Sequence, residues 1–129
     1  MTRKPLIAGN WKMYHDTEET RAFFESFRNK LQKVSVEIAI CPPFTSLLQV
    51  AGNIKELPIK LGAQNMHWEE EGAYTGEISP KMLKAVPCDY VIIGHSERRQ
   101  YFAESDENVN KKVKAALKYK LTPIICVGE

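Results

Sequence analysis

The chain has 129 residues, enough for one modest domain with its own core, and 43% of them are hydrophobic and 26% charged. That balance excludes a disordered or membrane-embedded chain, and a formal charge of +2 is too small to imply nucleic acid or an anionic membrane as partner. Cys41, Cys88 and Cys126 lie far apart with no C-x-x-C pair, which predicts reduced intracellular thiols rather than a disulfide framework or a zinc site.

The basic opening, MTRKPLIAGNWK, has an apolar run too short for a signal-peptide core, and no window approaches a membrane span. The expected compartment is therefore the cytoplasm. Leu6-Ile7-Ala8 reads as a first strand. Asp16 and Glu19 form a capping-box pattern ahead of Thr20, Phe23, Phe24, Phe27 and Leu31, which are spaced for one helix face. Val36 to Cys41 reads as a second strand, and Pro43, Thr45, Leu47, Leu48 and Val50 as a shorter helix. Ile59 to Ala63 gives a third strand. It is followed by a long irregular segment, Asn65 to Ser79, whose length points to function rather than simple connection.

Ser79-Pro80 then reads as an N-cap and first helical position leading into Met82, Leu83 and Val86. Tyr90 to Ile93 is a fourth strand. Ser105-Asp106-Glu107 puts a cap and two acids at a helix start, with Val109, Val113, Ala116 and Leu117 following. The basic stretch Lys111 to Lys120 on this helix reads as a solvated face. Ile124 to Val127 closes the series as a fifth strand.

The order β-α-β-α-β-α-β-α-β predicts an α/β fold of parallel strands, buried on both faces and joined by right-handed crossovers. A flavodoxin-like sheet and a (β/α) barrel both satisfy it. No linker interrupts residues 1–129, so they are expected to form a single domain.

In parallel α/β folds, ligand groups gather where the strands end. Asn10 and Lys12 follow the first strand, and Gln64 and Asn65 the third. His95, Ser96, Glu97 and Arg98 follow the fourth, and Gly128 and Glu129 the fifth. Amide donors, two cations, a histidine and carboxylates on one face suit a small anionic substrate.

The segments GNWKM, AQN, GAYTGEIS, GHSERR and CVGE, in this order and spacing, resemble the triosephosphate isomerase family. The resemblance covers the whole chain. It implies a (β/α)8 barrel, or TIM barrel, of which these residues hold the first five strands and four helices. It further implies a homodimeric glycolytic and gluconeogenic isomerase without metal or organic cofactor. Such an enzyme interconverts dihydroxyacetone phosphate and glyceraldehyde 3-phosphate by proton transfer through an enediol intermediate.

By the same resemblance His95 acts as a neutral electrophile, an arrangement for which this family is itself the standard example. Lys12 neutralises the substrate phosphate and the growing oxyanion, Asn10 supplies an amide donor, and Glu97 positions Lys12. Thr75 projects toward a neighbouring subunit, in a loop whose Met66, Trp68 and Tyr74 look exposed. Glu69-Glu70-Glu71 reads as a solvated tip, and Cys126 as a small buried thiol beneath the site.

A barrel of this kind takes about 250 residues, and the family's catalytic glutamate lies beyond the fifth strand. The chain therefore reads as a fragment of the isomerase, expected to be inactive alone. The alternative is a noncatalytic half-barrel that self-associates or binds a complementary half.

Overall fold

The computed structural model describes residues 2–31 and 33–128. Its strands are β1 (Leu6–Asn10), β2 (Glu37–Cys41), β3 (Lys60–Ala63), β4 (Tyr90–Ile93) and β5 (Thr122–Ile125). Its helices are α1 (Thr17–Phe27), α2 (Phe44–Asn53), α3 (Pro80–Ala85), α4 (Ser96–Tyr101) and α5 (Asp106–Lys118). All strand pairings are parallel, in the spatial order β1-β2-β3-β4-β5. A flavodoxin-like sheet would reverse direction at a switch point. Strictly consecutive order is that of a (β/α) barrel, here five strands and the helices that follow them.

The helix starts form where the sequence marks them. Asp16 accepts from the Glu19 N–H at 2.8 Å, while the Glu19 carboxylate reaches back to the Asp16 N–H, closing the capping box. Ser79 caps α3 through the Met82 N–H and Ser105 caps α5 through the Asn108 N–H, both at 3.1 Å. Each such cap contributes about 1 kcal/mol by satisfying a donor the first turn leaves orphaned.

Behind the sheet, Phe24, Leu47, Val50 and Leu83 from the helices pack with Leu61, Val91 and Ile93 from the strands in one cluster. Burying side chains of this size contributes roughly 1.5–3 kcal/mol each. Where β2 and β3 adjoin, Gly62 is required sterically: a Cβ there would lie 2.5 Å from the Cys41 sulfur.

Several expectations need correction. Burial on both faces holds for the inner strands, while β1 and β5 are the edges of the sheet among the described residues, with Ile7 and Ile125 exposed. An edge strand packs a neighbour on one side only. The fifth strand begins two residues earlier than its apolar run suggests, because Pro123 is accommodated opposite Val91 on the edge, where a missing N–H is tolerated. Five helices replace four among the described residues, the addition being the six-residue α4 after β4. Met66 is in the core at 1% exposure rather than on the loop surface, and Trp68 is half-buried. Glu69, Glu70, Glu71, Tyr74 and Thr75 are exposed as expected. No helix among the described residues is long and apolar enough to cross a membrane.

Candidate active site

The ends of β1, β3 and β4 border a cavity of about 190 Å³ lined by Asn10, Lys12, Gln64, Asn65, His95 and Glu97, together with Met13, Phe44, Arg98 and Phe102. The residues that follow three separate strands in sequence thus share one small polar hollow.

Lys12 sits two residues beyond β1 with φ of 56°, the left-handed region, which costs a residue with a Cβ about 1–2 kcal/mol. Its backbone is held on both sides. The Lys12 N–H donates to Asn10 Oδ1 at 3.0 Å, and the Lys12 carbonyl accepts from Gln64 Nε2 at 2.9 Å. From this turn the side chain crosses to β4's end, where Nζ meets Glu97 Oε1 at 2.6 Å. The hydrogen bond and charge of Glu97 raise the Lys12 ammonium above its ordinary range, and Lys12 in turn holds the Glu97 carboxyl below the usual carboxylate range. Around neutral pH both members are therefore charged.

His95 is the N-cap of α4: its Nδ1 accepts the Glu97 backbone N–H at 3.1 Å. Elsewhere in this chain Asp and Ser perform that task. A ring nitrogen that accepts a hydrogen bond carries no proton, so this arrangement corresponds to neutral imidazole with its hydrogen on Nε2. The carboxylate of Glu97 is 3.6 Å from the same Nδ1, outside hydrogen-bond range, and is engaged by Lys12. His95 thus brings one uncharged N–H donor to the cavity it lines.

Behind the cavity lies a buried charged cluster. Lys112, 4% exposed, donates to Asn65 Oδ1 at 2.8 Å and to Glu104 Oε1. Glu104 Oε2 accepts the N–H of Gly94, the residue before His95, at 3.1 Å. Arg98 Nε stands 3.5 Å from Glu104 Oε1 without a hydrogen bond, and its guanidinium lies over the Phe102 ring. Lys112 is thus a correction to the solvated face expected for Lys111 to Lys120. The signal was present in the spacing: 109, 112 and 116 fall on one stripe of α5, and Val109 and Ala116 are both buried. Glu104 carried no comparable mark, since it lies between helices and its partners are distant in sequence.

Burial pushes the Glu104 carboxyl up. The hydrogen bond and charge of Lys112, the charge of Arg98 and the Gly94 N–H outweigh it, leaving the group below the ordinary carboxylate value. A depressed carboxylate adds stability that is complete above the unfolded value, about pH 4.3, and is lost as pH falls through the lower folded value. Replacing Lys112 by Met leaves a buried carboxylate short of its main partner. We expect Lys112→Met to lower unfolding free energy at pH 7 by about 3 kcal/mol, read from urea denaturation. An unchanged urea midpoint would show that the cluster is not a stabilising unit.

The remaining expected residues are placed as follows. Asn65 lines the cavity, but its carbonyl oxygen is given to Lys112. Cys126 is half-buried rather than buried, and lines an adjoining hollow with His95, Arg99 and Gly128. Burial raises its thiol above the ordinary value. Thr75 lies on the exposed loop, away from the residues that line the cavity. Glu129 lies outside the described residues.

A sequence model of the family described as Triosephosphate isomerase matches residues 5–129. The chain is 57% identical over 127 residues to the triosephosphate isomerase of Alkaliphilus metalliredigens. It is 59% identical over 129 residues to that of Dictyoglomus turgidum, and 53% identical over 127 residues to that of Clostridium perfringens. Each comparison covers 98% of this chain and 51% of the relative, so the chain spans about half the length of the curated relatives it matches. Identity at this level along nearly the whole chain, on a consecutive parallel sheet with Lys12, His95 and Glu97 gathered at its strand ends, leaves one assignment: the chain belongs to the triosephosphate isomerase family.

Proposed function

We propose that these residues form the electrophilic side of the active site in a triosephosphate isomerase of the relatives' full length. That enzyme interconverts dihydroxyacetone phosphate and glyceraldehyde 3-phosphate through an enediol intermediate. The observation that carries the reading is the joint arrangement of His95 and Lys12 around Glu97. The backbone N–H of Glu97 fixes the histidine tautomer, and its carboxylate fixes the lysine.

In this reading His95 Nε2–H donates to the substrate carbonyl, and the bond strengthens as negative charge grows on that oxygen. Lys12 stabilises the phosphate dianion in the ground state and the oxyanion later. Asn10 turns its Oδ1 to the Lys12 backbone, which leaves its NH2 as the donor for substrate oxygens. Glu97 positions Lys12. The site needs no metal or organic cofactor for this step.

The 129 residues act as one domain, in a cytoplasmic glycolytic and gluconeogenic enzyme that works as a homodimer. Thr75 and the exposed Tyr74 would approach the partner subunit. Met13 and Phe102, exposed residues that line the cavity, supply apolar area suited to an interface.

A coupled-enzyme assay on a full-length isomerase carrying these residues tests the reading, and absent turnover would refute it. In that protein Lys12→Ala is expected to weaken a phosphate-bearing substrate analogue by about tenfold and to lower kcat as well, because its cation acts in both ground and transition states. Calorimetric titration of the analogue measures the first effect. Affinity unchanged by the substitution would take Lys12 out of the site.

A further inference from the structure

We infer that Gln64 is a positioning residue whose carboxamide holds Lys12 in its left-handed turn and thereby aims the ammonium across the cavity at Glu97. The inference rests on the reading of Lys12 as the substrate-facing cation. It starts from a different observation, the fate of two backbone carbonyls.

Gln64 follows β3 directly, and its single Nε2 donates to two acceptors, the Lys12 carbonyl and the Cys41 carbonyl, each at 2.9 Å. The carboxamide NH2 has two hydrogens, and each has one oxygen to go to. Its orientation is thereby fixed, since the flipped amide would set Oε1 against both carbonyls. Cys41 is the last residue of β2, and its carbonyl also accepts the Trp11 N–H at 3.0 Å. One side chain just beyond β3 therefore ties the end of β2 to the turn beyond β1.

That turn is where the backbone is least comfortable. Lys12 has a Cβ and sits at φ of 56°. Asn10 holds its N–H and Gln64 its carbonyl, so the peptide planes on both sides of the strained residue are clamped. The sign of φ decides where Cβ leaves the turn. In this setting the side chain runs to Glu97, 85 positions away. With the Gln64 bond gone, the Lys12–Met13 peptide loses its one side-chain partner among the described residues, and Lys12 is released to ordinary negative φ.

Gln64→Met keeps the length of the side chain and removes both donors. In its crystal structure Lys12 should take negative φ, with Nζ no longer bonded to Glu97. Lys12 retained near its present φ with the Glu97 bond intact would overturn the inference. The functional counterpart is a double-mutant cycle in the full-length isomerase. Gln64→Met alone should lower kcat/KM about 10–100-fold, as expected for a displaced catalytic group. In the Lys12→Ala background the same change should cost less than about 3-fold, because coupled residues are not additive.

Equal losses in both backgrounds, or no loss in either, would also overturn it. Gln64→Glu, of the same size but with acceptors facing both carbonyls, serves if the methionine variant does not fold. Failure of both variants to fold, where Lys12→Ala folds, would make Gln64 a residue of the fold instead. An unmodified full-length chain without turnover would sink the functional reading alone, and the crystallographic comparison would still decide Gln64.

Discussion

Residues 1–129 assayed by themselves are expected to give no triose phosphate isomerisation above the buffer background, while a full-length isomerase carrying them turns over. The reaction must remove a proton from carbon, which calls for a free carboxylate or comparable base poised over the substrate. Among the described residues that line the cavity, the only carboxylate is Glu97. It is not free: Lys12 takes its Oε1 at 2.6 Å and holds its carboxyl low, which makes it a weak base. Glu104 is buried and committed to Lys112.

A missing general base alone costs about 10²–10⁴-fold, and imperfect substrate positioning costs about 10²-fold more. A coupled assay at micromolar protein would read that as background. Family-level turnover from the 129 residues would show that the chemistry resides in groups other than those assigned.

The second large effect is expected at His95. In the full-length enzyme His95→Gln should lower kcat about 10²–10³-fold, the usual loss for one oxyanion donor, and change KM only a few-fold. The reason is the timing of charge. An uncharged N–H contributes modestly to binding a neutral carbonyl and far more to the oxyanion that replaces it. Asparagine, whose Oδ1 stands where Nδ1 does, can still accept the Glu97 N–H and so cap α4, and His95→Asn measured beside it separates the chemical role of position 95 from its structural one. Steady-state kinetics on the variant, with its urea midpoint as a control for folding, make the test. A raised KM at unchanged kcat would mean that His95 only binds substrate.

How much of this was legible in the sequence depended on how local each determinant is. The capping box at Asp16 and Glu19 and the caps at Ser79 and Ser105 involve residues three apart, so the pattern carried the geometry with it. The strand-end residues were legible because alternating strands and helices place them on one side whichever parallel fold forms. Choosing the barrel needed strand order, which periodicity does not contain.

The misses involve distant partners. Met66 looked exposed in a polar loop, yet the turn after β3 sends it into the core. Lys112 looked solvated among its neighbouring lysines, because its partners Asn65 and Glu104 come from other parts of the chain. The left-handed setting of Lys12 and its tie to Gln64 depend on a tertiary contact spanning 52 positions.

The glycine on β3 reaches beyond its own strand. Because the Cys41 sulfur occupies the place a Cβ at 62 would take, positions 41 and 62 hold a single allotment of volume between them. Substitution histories through this pair are consequently ordered. A change at 41 to a smaller residue can come first, leaving a small void that alanine at 62 then fills. The reverse order passes through a clash with the buried Cys41 sulfur, in a parallel ladder that cannot slide because β2 is paired on both sides. Related sequences should therefore show glycine at 62 wherever 41 keeps a sulfur, and directed libraries that vary 62 alone should return glycine.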